Sequence, residues 1–478
     1  MRKLRYAFLA AILAAILAAG FGVFAWTVEH LGVTPRALGP YLERRASGHN
    51  PVIVAIGDWL SRTLLWLDRG PPPPPVAIRL RLGAQPSSPQ RLAAADRGAV
   101  LVDGPEELVA AMAKARPGDT ITLLPGTYRF RRNIPAARPG ADGAPITVRA
   151  EQHGMARLEF AMSEGFHVSA PYWVFENLHI RGVCRAHADC EHAFHVVGKA
   201  RHFIARNNTI LDFNAHFKVN GHGGDFPDRG IIEGNTLTNS AIRQTHNPVT
   251  PVDVVAASDW VVRGNLISDF IKGSGDRVSY GGFFKGAGSG NRFERNVVLC
   301  ESALRGAPGQ RVGLSLGGGG TGQAFCRDRR CITEQDGSVI QANLIAFCSD
   351  DGIYLNRAAT SQVLHNTLLD TGSIVVRFPA SSADVEGNLV DGAIRSRDGG
   401  LVRASGNRDT SLTRLFLGGH PVRELFEDVG TLDLEWRADA PPRVQHAGGQ
   451  PRIPDLCGVE RPARPALGAF ENFTHCLR

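Results

Sequence analysis

Phe175-Glu-Asn-Leu-His-Ile180, Ala205-Arg-Asn-Asn-Thr-Ile210, Ile232-Glu-Gly-Asn-Thr-Leu237 and Val262-Arg-Gly-Asn-Leu-Ile267 are variants of one phrase. It recurs as Phe293-Glu-Arg-Asn-Val-Val298, Ile340-Gln-Ala-Asn-Leu-Ile345, Leu364-His-Asn-Thr-Leu368 and Val385-Glu-Gly-Asn-Leu-Val390. Aligned on the asparagine, the series is Asn177, Asn208, Asn235, Asn265, Asn296, Asn343, Asn366 and Asn388, with gaps of 22 to 31 residues and one of 47. Between the asparagines, short alternating runs are broken by Gly, Asn and Ser, and helical periodicity is almost absent. A repeat of this length built from strands is the mark of a solenoid. The predicted fold is all-β: a single-stranded right-handed parallel β-helix, with like strands stacked about 4.8 Å apart. Asparagine tolerates the left-handed backbone that a sharp corner needs, and stacked amides can bond along the ladder. A leucine-rich horseshoe would need a strict leucine pattern, which is absent.

The composition fits this reading. The chain has 478 residues, 54 of them glycine, with 43% hydrophobic and 7% aromatic residues. That excludes wholesale disorder and a long-helix protein. A net charge of +7 is mild, and no dense basic tract marks a nucleic-acid arm. Of 53 basic residues only six are lysine: Lys3, Lys114, Lys199, Lys218, Lys272 and Lys285. Three of these fall between residues 218 and 285, in a chain that otherwise writes arginine. The eight cysteines have no zinc spacing. Their even number beside an export signal suggests disulfides, with Cys184/Cys190 and Cys326/Cys331 close enough to staple small loops.

The N-terminus reads as a membrane address. Arg2, Lys3 and Arg5 precede a nearly uncharged stretch from Tyr6 to Val28, long enough to span a bilayer. Residues 1–28 are therefore expected as a transmembrane signal anchor, with a cleavable signal peptide as the rival. The positive flank predicts an inner-membrane anchor with the remainder facing the periplasm. Residues 29–98 are expected as a juxtamembrane amphipathic helix over Val52–Leu67, the Pro71–Pro75 spacer and a polar linker. The β-helix is assigned to 99–472.

Gly104-Pro-Glu-Glu-Leu-Val-Ala-Ala-Met-Ala-Lys-Ala-Arg116 reads as the helix capping the open end of the solenoid, with Pro105 and two glutamates in its first turn. Gly118-Asp-Thr-Ile-Thr-Leu-Leu-Pro-Gly-Thr-Tyr128 follows it, and Leu467-Gly-Ala-Phe-Glu471 stands near the end of the chain. These stretches resemble the opening and tail of pectate-lyase-like (pectin-lyase-like) β-helix proteins. The resemblance covers about residues 100 to 472 and implies the fold, on a scaffold that serves many functions.

Side chains alternate in and out along a strand. With apolar residues inward, the strands that begin before each corner present His195; His216, Lys218 and Asn220; Asp253; Phe283 and Lys285; Ser315; Tyr354 and Asn356; and Arg377. A groove lined by cations and aromatics suits an acidic polysaccharide. Eliminating across a uronate needs a neutralised carboxylate, a base for the adjacent proton and an acid for the leaving oxygen. Lys285 is the candidate base, Lys218, His216 or Arg377 the neutralising group, and Tyr354 the acid. His195, Asn220, Asp253, Phe283, Ser315 and Asn356 are assigned to substrate binding. Asp253 and Asn220 are also candidates for an oxygen-liganded metal.

Tyr280-Gly-Gly-Phe-Phe-Lys-Gly-Ala-Gly-Ser-Gly-Asn-Arg-Phe-Glu-Arg-Asn296 resembles one coil of the chondroitinase B and alginate lyase family. The resemblance implies Lys285 as the base. The family's arginine-histidine-glycine triplet is replaced here by Leu314-Ser-Leu-Gly-Gly-Gly-Gly320, and Val278 and Tyr280 stand where its calcium-binding glutamates are expected. Calcium is thus possible as a cofactor but has no support at those positions. Asn220-Gly-His-Gly-Gly224 and Ser349-Asp-Asp-Gly352 resemble pieces of polygalacturonase hydrolases in reversed order. Gly317–Gly320 is Gly-rich without the helix of a phosphate loop. The expectation is a lyase-like protein acting on an acidic polysaccharide. The alternatives are a non-catalytic glycan-binding or export-assisting β-helix, a C5-epimerase or a hydrolase.

Overall fold

A computed structural model describes residues 2–71, 74–76, 80–86, 99–318, 320–437, 441–443 and 453–478. Pro72, Pro73, residues 77–79 and 87–98 of the expected linker, and Gly319 lie outside the described residues. The chain divides into two compact units: residues 1–71 with 410–421, and residues 72–409 with 422–478.

The larger unit is a parallel β-helix. Its strands form three long sheets, one of 12 strands and two of 10, and every neighbouring pair of strands within them is parallel. One coil shows the winding: Trp173–Glu176 in the 12-stranded sheet, His179–Gly182 in the second, His192–Val197 in the third, then Ile204–Arg206 back in the first. The interior is apolar and stacked in register. Phe166, Phe194 and Phe217 occupy successive coils, with ring centroids 5.1 and 5.2 Å apart. The helix Pro105–Lys114 buries Leu108 and Met112 against the first coils and supplies the expected cap.

The asparagine ladder runs through Asn208, Asn235, Asn265, Asn296, Asn343, Asn366 and Asn388, and on to Asn407. Each Oδ1 beyond the first accepts both the backbone N–H and the Nδ2–H of the asparagine before it. Two details differ from the sequence reading. Leu178, not Asn177, holds the rung in its coil, because the Leu178 N–H donates to Asn208 Oδ1. The left-handed residue is the one before each rung. Asn177, Asn207, Gly234, Gly264, Arg295, Ala342, His365, Gly387 and Gly406 have positive φ, and the rung asparagines do not. The amide is selected for its bonding, while the turn is made by its neighbour.

All eight cysteines pair, as Cys184–Cys190, Cys300–Cys348, Cys326–Cys331 and Cys457–Cys476. Cys300–Cys348 follows two strands that stack on each other, Val297–Leu299 and Leu344–Ala346, and so ties consecutive coils. Residues expected as linker also lie on the solenoid. Gly83 N–H donates to Gly264 O, Gln85 N–H to Asn207 Oδ1, and Leu80 bridges Leu477.

The smaller unit is helical: Arg2–Leu31, Pro35–Ala46, Pro51–Arg69 and the short Leu412–Phe416. Within the first helix, Ile12–Leu31 is long and apolar enough to cross a membrane, and Val28 is its one buried residue. A signal sequence has the same character. The Asn50 side chain caps the third helix by accepting from the N–H groups of Val52 and Ile53. A buried Arg36–Asp68 ion pair joins the second and third helices. Gly57 permits their close approach, since a Cβ there would lie 2.3 Å from that of Ala46. The apolar helix and the disulfides together point to export.

Candidate functional site

The third sheet carries the expected stripe. Strand register aligns Pro135, His167, His195, Lys218, Asp253, Phe283, Ser315, Tyr354, Val375 and Arg395 in one row. A second row, two residues further along, contains Asn220, Lys285, and the neighbours Asn356 and Arg377. Lys218 and Lys285 therefore share one face, two strands apart, which is about 10 Å at the spacing of stacked strands.

Their environments differ. Lys218 Nζ donates to Asp253 Oδ2 at 2.9 Å. Asp253 is 4% exposed, and its Oδ1 has no hydrogen-bond partner among the described residues. Lys285 Nζ makes no ion pair or hydrogen bond among the described residues and lies 4.2 Å from the centroid of the Phe283 ring. Phe283 itself packs with Val255, Ala256, Phe226 and Tyr280. Burial pushes the Lys285 ammonium below the ordinary lysine value. Asp253 opposes this, Lys218 adds to it, and Glu334 opposes it. Gly318 flanks the same side chain, since a Cβ there would lie 2.9 Å from Lys285 Cδ.

Further along the row, the Tyr354 hydroxyl oxygen accepts from Arg377 Nη1 at 3.1 Å and from Asn356 Nδ2 at 3.2 Å. With both acceptor directions filled, its own O–H is left to donate. Arg377 also pairs with Asp398 and stacks over Phe378 at 4.4 Å.

At the other end, His195 Nε2 and Asn220 Oδ1 are 2.8 Å apart, and His195 Nδ1 lies 2.6 Å from Glu164 Oε1. Glu164 Oε2 meets His167 Nδ1 at 3.1 Å. Hydrogen bonds from His167 and then His195 hold the Glu164 carboxyl well below the usual carboxylate range.

Two expected groove residues are not in the groove. His216 is fully buried, with Nε2 donating to the Thr238 carbonyl at 3.1 Å. Ser315 is fully buried, its single O–H shared between the Gly317 and Tyr354 carbonyls. Alternation places both outward, but neighbouring backbone covers them. Lys272 pairs with Asp276 at 2.7 Å. Sequence reasoning missed Glu164, His167, Arg327 and Glu334. Arg327 binds Asp228 through both Nη atoms and stacks over Phe226. Glu334 is fully buried and receives the Gly318 N–H. The Glu-x-x-His spacing at 164–167, one coil before His195, is the signal that was available.

Burial pushes His216 down to about 4, with the Thr238 bond opposing, Arg243 adding and Asp212 opposing. A buried neutral histidine gives a signed pH prediction. Between about 4 and 6.5 the unfolded chain binds the proton that the folded chain refuses. The stability is complete above the unfolded value and is lost as pH falls through that window, by about 3 kcal/mol in all. Thermal melts of the wild type and of His216→Gln across that window should show the mutant with the shallower acid dependence. Parallel curves would contradict this.

Calcium does not fit the positions considered from sequence. Val278 and Tyr280 offer no carboxylate, Asp253 is paired with Lys218, and Asn220 Oδ1 faces His195. Among the described residues, one group could hold a metal: Glu164, His167 and His195, whose ligand atoms all lie within 4.8 Å of one another.

No family model matches the chain. Pectate lyase L of Dickeya dadantii (strain 3937) is 31% identical over 162 residues, covering 30% of this chain and 34% of that protein. Pectate lyase L of Dickeya chrysanthemi is 34% identical over 92 residues, covering 16% and 22%. The chain thus spans about a third or less of the length of the curated relatives it matches. Among solved structures, pectate lyase Pel9A superposes with a TM-score of 0.52 at 15% identity, covering 78% of this chain and 96% of that one. An alginate lyase from Paenibacillus sp. str. FPU-7 gives a TM-score of 0.35 at 16% identity, over 65% of this chain and 99% of that one. The fold is pectate-lyase-like.

Proposed function

We propose that this chain is a polysaccharide-active right-handed β-helix protein, lyase-like in chemistry, acting on a uronate-containing polysaccharide. The observation that carries the reading is Lys285: a half-buried ammonium with no ion pair among the described residues, pushed toward its neutral form, on the same face as Lys218. The matched pectate lyases and the lysine-ended strand Val278–Lys285 support the same class.

The chemistry follows from charge. Lys218 and Arg377 neutralise uronate carboxylates along the row. Neutral Lys285 takes the proton from the carbon next to a carboxylate. The electron pair becomes a carbon–carbon double bond as the glycosidic carbon–oxygen bond breaks. The leaving oxygen takes the Tyr354 proton. Returning a proton to the opposite face instead would make an epimerase.

A binding-only reading is favoured by one observation: Lys218 already has its counterion in Asp253. The test is incubation of the full-length protein with alginate, pectate and glycosaminoglycans, following the ultraviolet absorbance of the unsaturated uronate end. Rising absorbance with one polymer is expected. A flat trace with all of them, with or without calcium, would sink the lyase reading. Retardation by an acidic but not a neutral polymer would then support the binding module.

The helix Ile12–Leu31 is proposed to stay as an uncleaved inner-membrane anchor, with the β-helix on the periplasmic side. Val52, Ala55, Ile56 and Trp59 form an apolar surface on the third helix that suits the membrane interface. Alkaline carbonate washing of membranes should leave the protein in the pellet. Release of a shortened chain would show a cleaved signal.

A further inference from the structure

The group at the start of the groove has the chemistry of a metal site of a kind the sequence did not suggest. We propose that Glu164, His167 and His195 bind one divalent transition-metal ion, of the zinc type, through one oxygen and two nitrogens. The proposal does not depend on the lyase reading.

Four observations support it. First, the ligand set is right: two imidazoles and one carboxylate suit a borderline ion such as Zn2+ and disfavour calcium, which takes six to eight oxygens. Second, the spacing is right. Metal–ligand bonds of about 2.0–2.2 Å put tetrahedral donors about 3.3–3.5 Å apart. The Glu164 oxygens lie 3.1 Å from His167 Nδ1 and 2.6 Å from His195 Nδ1, and all the donor atoms fall within 4.8 Å.

Third, a supporting shell is in place. A metal-bound histidine usually donates its other ring N–H to a fixed acceptor. His195 Nε2 faces Asn220 Oδ1 at 2.8 Å, and Asn220 Nδ2 donates to the Gly221 carbonyl at 3.0 Å, which fixes the orientation of the amide. Fourth, the site is open on one side. The His167, Glu164 and His195 side chains are 35%, 25% and 18% exposed, which leaves room for a further ligand. His195 is in register with Lys218, so a bound dication would extend the cationic row by one coil.

The test is a Co2+ titration of the purified full-length chain in detergent, made with an affinity tag free of histidine. All eight cysteines are in disulfides, so visible absorbance would report nitrogen and oxygen ligands alone. One Co2+ per chain is expected, with ligand-field bands that Zn2+ removes and Ca2+ does not. His167→Gln and Glu164→Gln should each weaken binding by about 100-fold or more, and Asn220→Ala by about 10–100-fold, the usual range for a supporting residue. Zn2+ should also raise the wild-type Tm, a readout independent of how the variants fold. An unchanged spectrum and Tm at millimolar metal would overturn the proposal. Binding that is equally tight in folded Glu164→Gln and His167→Gln would do the same.

Discussion

Asn265→Ala is expected to lower the stability of the solenoid by about 3–5 kcal/mol. Asn265 is fully buried at the middle of the ladder. Its Oδ1 accepts from the Asn235 backbone N–H at 2.8 Å and from Asn235 Nδ2 at 3.1 Å. Its Nδ2 donates to the Ile232 carbonyl and to Asn296 Oδ1, both at 2.9 Å. Alanine leaves the Asn235 N–H and the Ile232 carbonyl without these partners. Each buried polar group so stranded costs about 1–3 kcal/mol, and the loss of packing adds to it. Asn177→Ala serves as the control. Asn177 stands in the repeat by sequence but occupies the left-handed corner, with φ of 62°; its Nδ2 donates to the Ala150 carbonyl at 3.4 Å and its Oδ1 accepts from the Asn207 side chain at 2.7 Å, with no rung bond to a backbone N–H. About 1–2 kcal/mol is expected there, from backbone conformation and the lost Asn207 side-chain bond. Denaturant unfolding of both variants checks the contrast. Equal losses would mean that the amide ladder is not what holds the coils.

The second large effect concerns Lys285. Lys285→Ala is expected to reduce kcat/KM on the polymer that is cleaved by about 10²–10⁴-fold, the usual contribution of a general base. Polymer binding should change little, because Lys218 and Arg377 still meet the carboxylates. Lys285→Arg should fail equally, since a guanidinium stays charged and cannot take the proton. The pH dependence has a definite sign. The base is the neutral amine, so the rate rises with pH as Lys285 loses its proton. Burial lowers the pH at which that happens below an ordinary lysine's. The rising limb should therefore lie below about 10.4 and be absent in Lys285→Ala. A Lys285→Ala enzyme of near wild-type rate would remove Lys285 from the chemistry.

Much of this architecture is legible in the chain itself, and particular residues show where legibility ends. The asparagine period marks the coils from residue 177 onward because each rung must bond the next, a constraint that leaves few substitutes. The sequence could not tell Asn177 from Asn208, since both are asparagine one residue apart in the phrase. Only the Leu178–Asn208 bond fixes which is the rung. The groove stripe is legible because alternation assigns a side to each residue. Depth is not: His216 and Ser315 point outward yet end beneath carbonyls from Thr238, Gly317 and Tyr354. Glu164 and His167 escaped notice because they precede the first recognisable corner. Their partner His195 is 31 and 28 residues away in sequence but adjacent in the stack. The run of residues near 80–86 reads as a polar linker, yet it lies along the ladder through Gln85 and Asn207.

The face of the third sheet that carries Lys218, Asp253, Lys285 and Tyr354 is proposed as the place where an acidic glycan lies. This placement is tested most directly by the crystal structure of Lys285→Ala with an oligouronate, a variant that should bind without turning over. Sugar is expected along the third sheet, with one carboxylate within hydrogen-bond distance of Lys218 Nζ and the ring facing the emptied position of residue 285. An oligouronate bound on another sheet, or none in that groove at saturating concentration, would contradict it.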